Sequence, residues 1–267
     1  NVVKPSESPR RTILVTGGCG YLGSQLIRDL ATDQRLGPVT VRILDNMQAG
    51  RVEALMNLPP RGNFEFSEGD ILDPAAARKA TRGVDTVIHL AAIVRTPMSF
   101  DHPIWVEQVN HWGTARLVEA CLEQGVEHLI YASSASVYGP GGPFTEASEA
   151  KPLGPYAQSK FKAEGDVQSA ATRGMDTTIL RFGTLYGCGP VTRYDAVINR
   201  FAFLAGVRRP LTVYGDGNQR RPFVHLRDGS EAILACLAGD VRSTPGAAAV
   251  YNVVSENVPI AALVDAA

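Results

Sequence analysis

Runs of apolar, β-branched residues alternate with amphipathic helical stretches along most of this chain, and few folds accept that rhythm. "TILVTG" leads into "SQLIRDLA" and then "VTVRILDN"; "DTVIHLAA", "ARLVEACLEQG" and "HLIYASS" follow. Strands that are apolar on both faces must be covered on both. The pattern therefore predicts an α/β fold, a doubly wound, mostly parallel sheet with helices on either side. Each strand runs into polar or glycine-rich residues, so the carboxyl ends of the strands should line one crevice. Residues 11–181 keep the rhythm and read as the main domain, while residues 182–267 read as a smaller lobe. In that lobe "FGTLYGCGPVTRYD" is rich in turn formers, "AVINRFAFLAGV" is helical, and "RPFVHLRD" and "VYNVV" are expected to rejoin the main sheet. The final "VPIAALVDAA" has helical spacing without a stop signal, so the lobe is expected to be incomplete at its carboxy end.

At 267 residues the chain is long enough for one large domain with such a lobe. Its 26 basic and 27 acidic residues leave a net charge of −1, which gives no general attraction to nucleic acid or an anionic membrane. Neither partner is expected, and no apolar run reaches the length of a membrane span. Cys19, Cys121, Cys188 and Cys236 are scattered without a C-x-x-C, which points to a reducing, cytoplasmic setting. His102, His111 and His128 lack metal-ligand spacing, so no metal is expected; His89 and His225 read as packed structural residues. The polar, proline-punctuated "NVVKPSESPR" reads as a disordered lead-in.

The stretch "ILVTGGCGYLGSQLIRDL" carries the first chemistry. Gly18, Gly20 and Gly23 satisfy G-x-G-x-x-G, and Gly17, Gly20 and Gly23 satisfy G-x-x-G-x-x-G. Either frame puts bare backbone at a helix start, where unpaired N–H groups and the helix dipole favour a phosphate. A plain strand–helix turn that needs glycine only for its backbone angles is the alternative. Asp45 ends the second strand, where a carboxylate can accept both adenosine ribose hydroxyls and would repel a 2′-phosphate. That favours NAD over NADP, although Asp45-Asn46 could also be a simple turn. "PYAQSKFKAEG" puts Tyr156 and Lys160 one helical turn apart on one face. The alternative there is an exposed lysine beside a half-buried tyrosine.

Several motifs occur in order: Thr16-Gly17-Gly18-Cys19-Gly20-Tyr21-Leu22-Gly23, Asp45-Asn46, Gly69-Asp70-Ile71, His89-Leu90-Ala91-Ala92 and Asn110-x-x-Gly113-Thr114. Ser133-Ser134-Ala135-Ser136-Val137-Tyr138-Gly139, Tyr156-x-x-x-Lys160 and "RRPFVHLRD" complete the set. Together they resemble the extended short-chain dehydrogenase/reductase family, in its NAD-dependent nucleotide-sugar epimerase/dehydratase group, whose fold is of the Rossmann type. The resemblance implies that Gly17, Gly20, Tyr21, Leu22 and Gly23 cradle the NAD pyrophosphate and that Asp45, with Asn46 beside it, holds the ribose. It implies that Asp70 and Ile71 border the adenine, and that Leu90, Ala91, Ala92 and Asn110 line the cofactor channel. Ser134 aligns with the catalytic Ser/Thr, and Tyr156 and Lys160 with the acid/base pair. An ammonium and the positive nicotinamide ring would favour the phenolate of Tyr156, and Lys160 would also bind the nicotinamide ribose.

The same resemblance separates the reactions. Sugar 4,6-dehydratases of this group carry Asp-Glu after the catalytic residue, where this chain has Ala135 and Ser136. Dehydration is therefore disfavoured, and C4 epimerisation of a nucleotide sugar is expected. An NAD(P)-dependent dehydrogenase or ketoreductase is the alternative, and a non-catalytic dinucleotide-binding protein is a further one. On the substrate side Arg221 aligns with a diphosphate-binding arginine. Tyr214 would stack on the base or pack in the core, and Thr184 stands where many such epimerases have a diphosphate-binding Asn. "GTARLVEACLEQG" and "YAQSKFKAEGDVQSAATRG" resemble the helices through which subunits of this family pair, implying a homodimer.

Overall fold

The computed structural model describes residues 10–94, 96–239 and 244–267. All but the last residue of the expected lead-in lies outside the described residues. Seven parallel strands form the main sheet: β1 (Arg11–Thr16), β2 (Val39–Asp45), β3 (Asn63–Glu68), β4 (Thr86–His89), β5 (His128–Ser134), β6 (Asp176–Phe182) and, later in the chain, Ala249–Val253. Two short strands, β7 (Thr184–Tyr186) and β8 (Arg220–His225), precede that last one, which is accordingly β9. The spatial order is β3-β2-β1-β4-β5-β6-β9. After β3 the chain crosses back to place β4 on the other side of β1, and a crevice opens at the carboxyl ends of β1 and β4, where the winding reverses.

The sheet is parallel because its strands bury both faces. Ile13 and Val15 of β1 point into one core and Leu14 into the other, all fully buried. The first core is closed by Leu22, Leu26, Ile27 and Leu30 of α1 (Tyr21–Thr32) and by Ile233, Leu234 and Leu237 of Leu226–Ala238. The second is closed by Leu117 and Cys121 of Gly113–Gln124 and by Ala163 and Val167 of Gly154–Thr172. Each large apolar side chain buried this way contributes about 1.5–3 kcal/mol.

The remaining helices complete the order. After α2 (Pro74–Thr81) come α3 (Thr96–Asp101) and α4 (Pro103–Glu107). A π-helical turn, Gln108–Trp112, joins α4 to α5 (Gly113–Gln124). Then follow α6 (Gly154–Thr172), α7 (Val197–Gly206), α8 (Leu226–Ala238) and α9 (Ile260–Asp265). Among the described residues no helix is long and apolar enough to cross a membrane.

"VYNVV" joins the main sheet as β9 beside β6. "RPFVHLRD" does not. Its strand β8 lies in a separate small sheet, parallel to β7 and antiparallel to β10 (Glu256–Pro259). The physical reason is in its first half: Arg220 and Arg221 are exposed and Pro222 lacks an N–H, so this strand suits a sheet with one open face.

Candidate active site

The glycine loop leaves β1 and enters α1 in very little space. Gly17 has φ +71°, and a Cβ there would sit 2.7 Å from the Ala91 nitrogen beyond β4. At Gly23 a Cβ would sit 2.3 Å from the Gly17 carbonyl oxygen. Gly20 donates to that same carbonyl at 3.1 Å and is the N-cap of α1, with no capping side chain and no acid in the first turn. The positive end of a twelve-residue helix is thus left to an outside anion. At Gly18 a Cβ would sit 2.8 Å from Cγ2 of the buried Ile43, so this glycine too has no room for a side chain. The cradle fits a dinucleotide pyrophosphate.

Asp45 is buried at the end of β2, and its two carboxylate oxygens accept from the Cys19 and Met47 backbone N–H groups, each at 2.9 Å. Burial raises its pKa, and these two bonds pull it back. Asp45 therefore braces the glycine loop, and two further lone-pair positions stay free for ribose hydroxyls. Asn46 donates to Asp70 at 2.9 Å, tying the ends of β2 and β3 together at the expected adenine edge; Ile71 is buried beside them. Leu90, Ala91 and Ala92 line the β4 exit, half-buried.

Asn110 departs from its expected role. Its side chain is buried on the π turn, accepts from the Ile93 N–H at 2.7 Å, and donates to the Ile93 carbonyl and to Ser159 Oγ. Ser159 in turn donates to the Tyr156 carbonyl at 2.8 Å. With both ends of its amide satisfied inside the protein, Asn110 clamps the β4 loop to α6 rather than lining the channel. His89 is structural as expected. Thr114 Oγ1 already donates to the Asn110 carbonyl, so it accepts from His89 Nε2, and His89 Nδ1 accepts from Thr16. Burial holds this imidazole neutral, its pKa lowered to about 3.

Ser134 ends β5, and Tyr156 and Lys160 rise beside it from the first turns of α6. Burial raises the Tyr156 pKa; a hydrogen bond with Ser134 and the charge of Arg193 pull it down. Lys160 is buried, donates to the Ala132 carbonyl at 2.8 Å, and lies 4.8 Å from the Tyr131 ring centre. Burial lowers its pKa to about 7, against the upward pull of Glu164. Burial is the largest influence on the Tyr156 phenol, and Arg193 adds a cation, not expected from the sequence, that pulls its pKa down.

Behind these groups runs a buried polar chain with no counterpart in the sequence reading. Glu164, one turn beyond Lys160, accepts from Ser133 and forms a two-pronged pair with Arg181, Nε at 3.0 Å and Nη2 at 2.7 Å. Arg181 also donates to the Tyr138 hydroxyl at 2.9 Å, which donates to Asn252 at 2.8 Å. The signals were present: an acid four residues after Lys160, and a lone cation in the apolar strand "TTILRF".

Two of the residues expected on the substrate side, Thr184 and Arg221, lie on the small sheet. Thr184 is half-buried opposite Phe223, two positions along β8 from the exposed Arg221. Tyr214 is 76% exposed, which removes the core-packing alternative for it. Arg193 was missed because it lies in an irregular loop; it pairs with Asp195 at 2.8 Å and reaches the Val94 carbonyl at 3.4 Å. Among the described residues, no group of three or more His, Cys, Asp or Glu could hold a metal ion.

The sequence profile of the "NAD dependent epimerase/dehydratase family" matches residues 13–253. A mouse dTDP-D-glucose 4,6-dehydratase is 34% identical over 257 residues, covering 93% of this chain and 69% of the relative. A UDP-glucose 4-epimerase of Azospirillum brasilense is 31% identical over 250 residues, covering 87% of this chain and 69% of that protein. Among solved structures, MoeE5 in complex with UDP-glucose and NAD superposes with a TM-score of 0.81 at 32% identity, covering 95% of this chain and 80% of that one.

Proposed function

The chain belongs to the NAD-dependent epimerase/dehydratase family, and from that premise we propose that it interconverts nucleotide sugars epimeric at C4 through a transient 4-keto sugar. The observation that carries this reading is the placement of Ser134 at the end of β5 beside Tyr156 and the buried Lys160 of α6, where Ser134 pulls the phenol's pKa down, with no carboxylate at the next two positions, Ala135 and Ser136. Bound NAD supplies the hydride acceptor and donor of the cycle. In this reading Tyr156 takes the proton of the sugar 4-hydroxyl, Ser134 donates to the same oxygen, and Lys160 supports the phenolate. Ala135 and Ser136 offer no acid or base for removing water, which disfavours dehydration despite the dehydratase relatives. Thr184 and Arg221 would hold the diphosphate, and Tyr214, freely exposed, would stack on the base. Incubation with NAD and a panel of UDP- and dTDP-hexoses, without reductant, is expected to interconvert 4-epimers. A product lighter by one water would assign the chain to dehydration instead.

The Gly17–Gly23 loop, with Leu22, would cradle the pyrophosphate, and Asp45 would hold the adenosine ribose. Asp45→Asn keeps one acceptor for the loop but removes the charge. It is expected to weaken NAD about tenfold and to leave NADP unchanged or improved, read by calorimetric titration. Equal losses of both cofactors would make Asp45 a loop brace alone.

A homodimer completes the reading. Ile104, Trp112 and Phe161 are exposed on α4, the π turn and α6, elements that pack on one another and present apolar surface outward. Sedimentation at micromolar concentration is expected to show a dimer, converted to a monomer by Trp112→Glu. A monomeric wild-type chain would reject the pairing.

A further inference from the structure

One segment of the small lobe links α1 to the loop beyond β4, and only its last residue, Arg193, bears on the groups described above. It runs from Gly187 to Arg193 and is tied to the dinucleotide domain at separate points. Tyr21, the first residue of α1, donates its hydroxyl proton to the Gly187 carbonyl. Ser24, one turn further along α1, accepts from the Val191 N–H at 3.2 Å. At the far end Arg193 reaches the carbonyl of Val94 in the loop beyond β4. The segment thus spans from the start of α1, next to the glycine loop, to the loop beyond β4.

A single buried side chain organises it. Asn199, in the first turn of α7, accepts from the Gly187 N–H at 2.8 Å and donates to the Tyr21 hydroxyl at 3.0 Å and the Arg193 carbonyl at 2.9 Å. Its oxygen and both amide hydrogens are used, and all three bonds end on the strap or on its anchor. The strap's start has no slack either: Gly187 has φ +108°, and a Cβ there would sit 2.5 Å from His225 Nε2. A polar amide on an otherwise apolar helix face carries a desolvation cost unless fully paired, and here the pairing is with this strap and its anchor Tyr21.

We propose that Asn199 is a positioning residue that bolts the Gly187–Arg193 strap to Tyr21 across the dinucleotide groove, so that NAD enters and leaves only when this bolt opens. The proposal rests on the reading that the Gly17–Gly23 loop holds NAD. The bolt holds the reduced cofactor in place between the departure of the hydride and its return, as a cycle that returns its own hydride requires. A bolt differs from a direct contact in its kinetics. Loosening it raises the entry and exit rates together, whereas losing a contact raises the exit rate alone.

The test loads the full chain with radiolabelled NAD, chases with excess unlabelled NAD, and follows retained label; entry is followed by stopped-flow quenching of protein fluorescence. Asn199→Ala is expected to speed both entry and exit by about 10- to 100-fold, with the dissociation constant changing less than either rate. Tyr21→Phe, which keeps the ring and removes only the hydroxyl, is expected to do the same more weakly. It also serves as the readout should Asn199→Ala fail to fold. The double variant should show less than the sum, because both changes open one bolt. Gly23→Val tests the underlying reading separately, since it should abolish NAD binding; retained binding would overturn that reading. If NAD binding is lost in Gly23→Val while both strap variants release NAD at the wild-type rate, or speed exit alone, the bolt is refuted.

Discussion

Replacing Tyr156 by Phe is expected to lower turnover by about 10²–10⁴ while leaving the fold and NAD affinity nearly intact. The ring stays in its place in the first turn of α6, so the packing loss is small. What disappears is the oxygen whose pKa Ser134 pulls down and that would take the substrate proton. Ser134→Ala should be milder, because it removes a donor and leaves the base. A steady-state assay beside a calorimetric NAD titration separates the two effects. A Tyr156→Phe protein with turnover within about threefold of the wild type would remove the phenol from the chemistry.

The second large effect lies behind the site. Glu164→Gln leaves the Arg181 guanidinium buried without its carboxylate. Burial works against the charge of Arg181, and its hydrogen bonds to Glu164 and Tyr138 more than offset that at present. Breaking such a pair from one side costs about 3–5 kcal/mol of folding stability. Removing both charges in Glu164→Leu/Arg181→Met should recover most of the loss, since the guanidinium is then no longer buried without its carboxylate. Urea unfolding followed by circular dichroism measures both variants. A single variant that loses under about 1 kcal/mol, or a double variant worse than the single, would contradict the argument.

The same substitution reaches the active site. Glu164 raises the pKa of Lys160, which burial has lowered to about 7. Without that carboxylate the Lys160 pKa falls further, so the ammonium is lost at lower pH. The alkaline limb of turnover against pH should therefore move toward acid in Glu164→Gln. A purely structural role for Glu164 would scale the profile without moving it.

These particulars mark what the sequence carries openly and what it conceals. The main sheet was legible because a strand buried on both faces, such as "TILVT", has to be apolar at every position. β8 was assigned to the wrong sheet because "RPFVH" alternates too briefly for its pattern to name a neighbour. The glycine loop and the Tyr156–Lys160 pair were legible as spacings. Asn110 was legible as a motif position but not as an orientation: the π turn points its amide at Ile93 and Ser159, and no local pattern announces a π turn. Glu164 and Arg181 are 17 residues apart and meet only because α6 folds back over β5 and β6. Asn199 and Tyr21 lie farther apart still, in separate lobes. Pairings that depend on how two elements cross are not written in either one.

The central claim is that hydride leaves and returns within one active site. The direct measurement supplies a nucleotide hexose deuterated at C4 to the NAD-loaded protein, without reductant, and follows the label by mass spectrometry and proton NMR. The account predicts the 4-epimer with deuterium still at C4 and none washed into solvent. A product that forms only when reductant is added in equal amount, with its C4 hydrogen taken from that reductant, would contradict it and identify a ketoreductase.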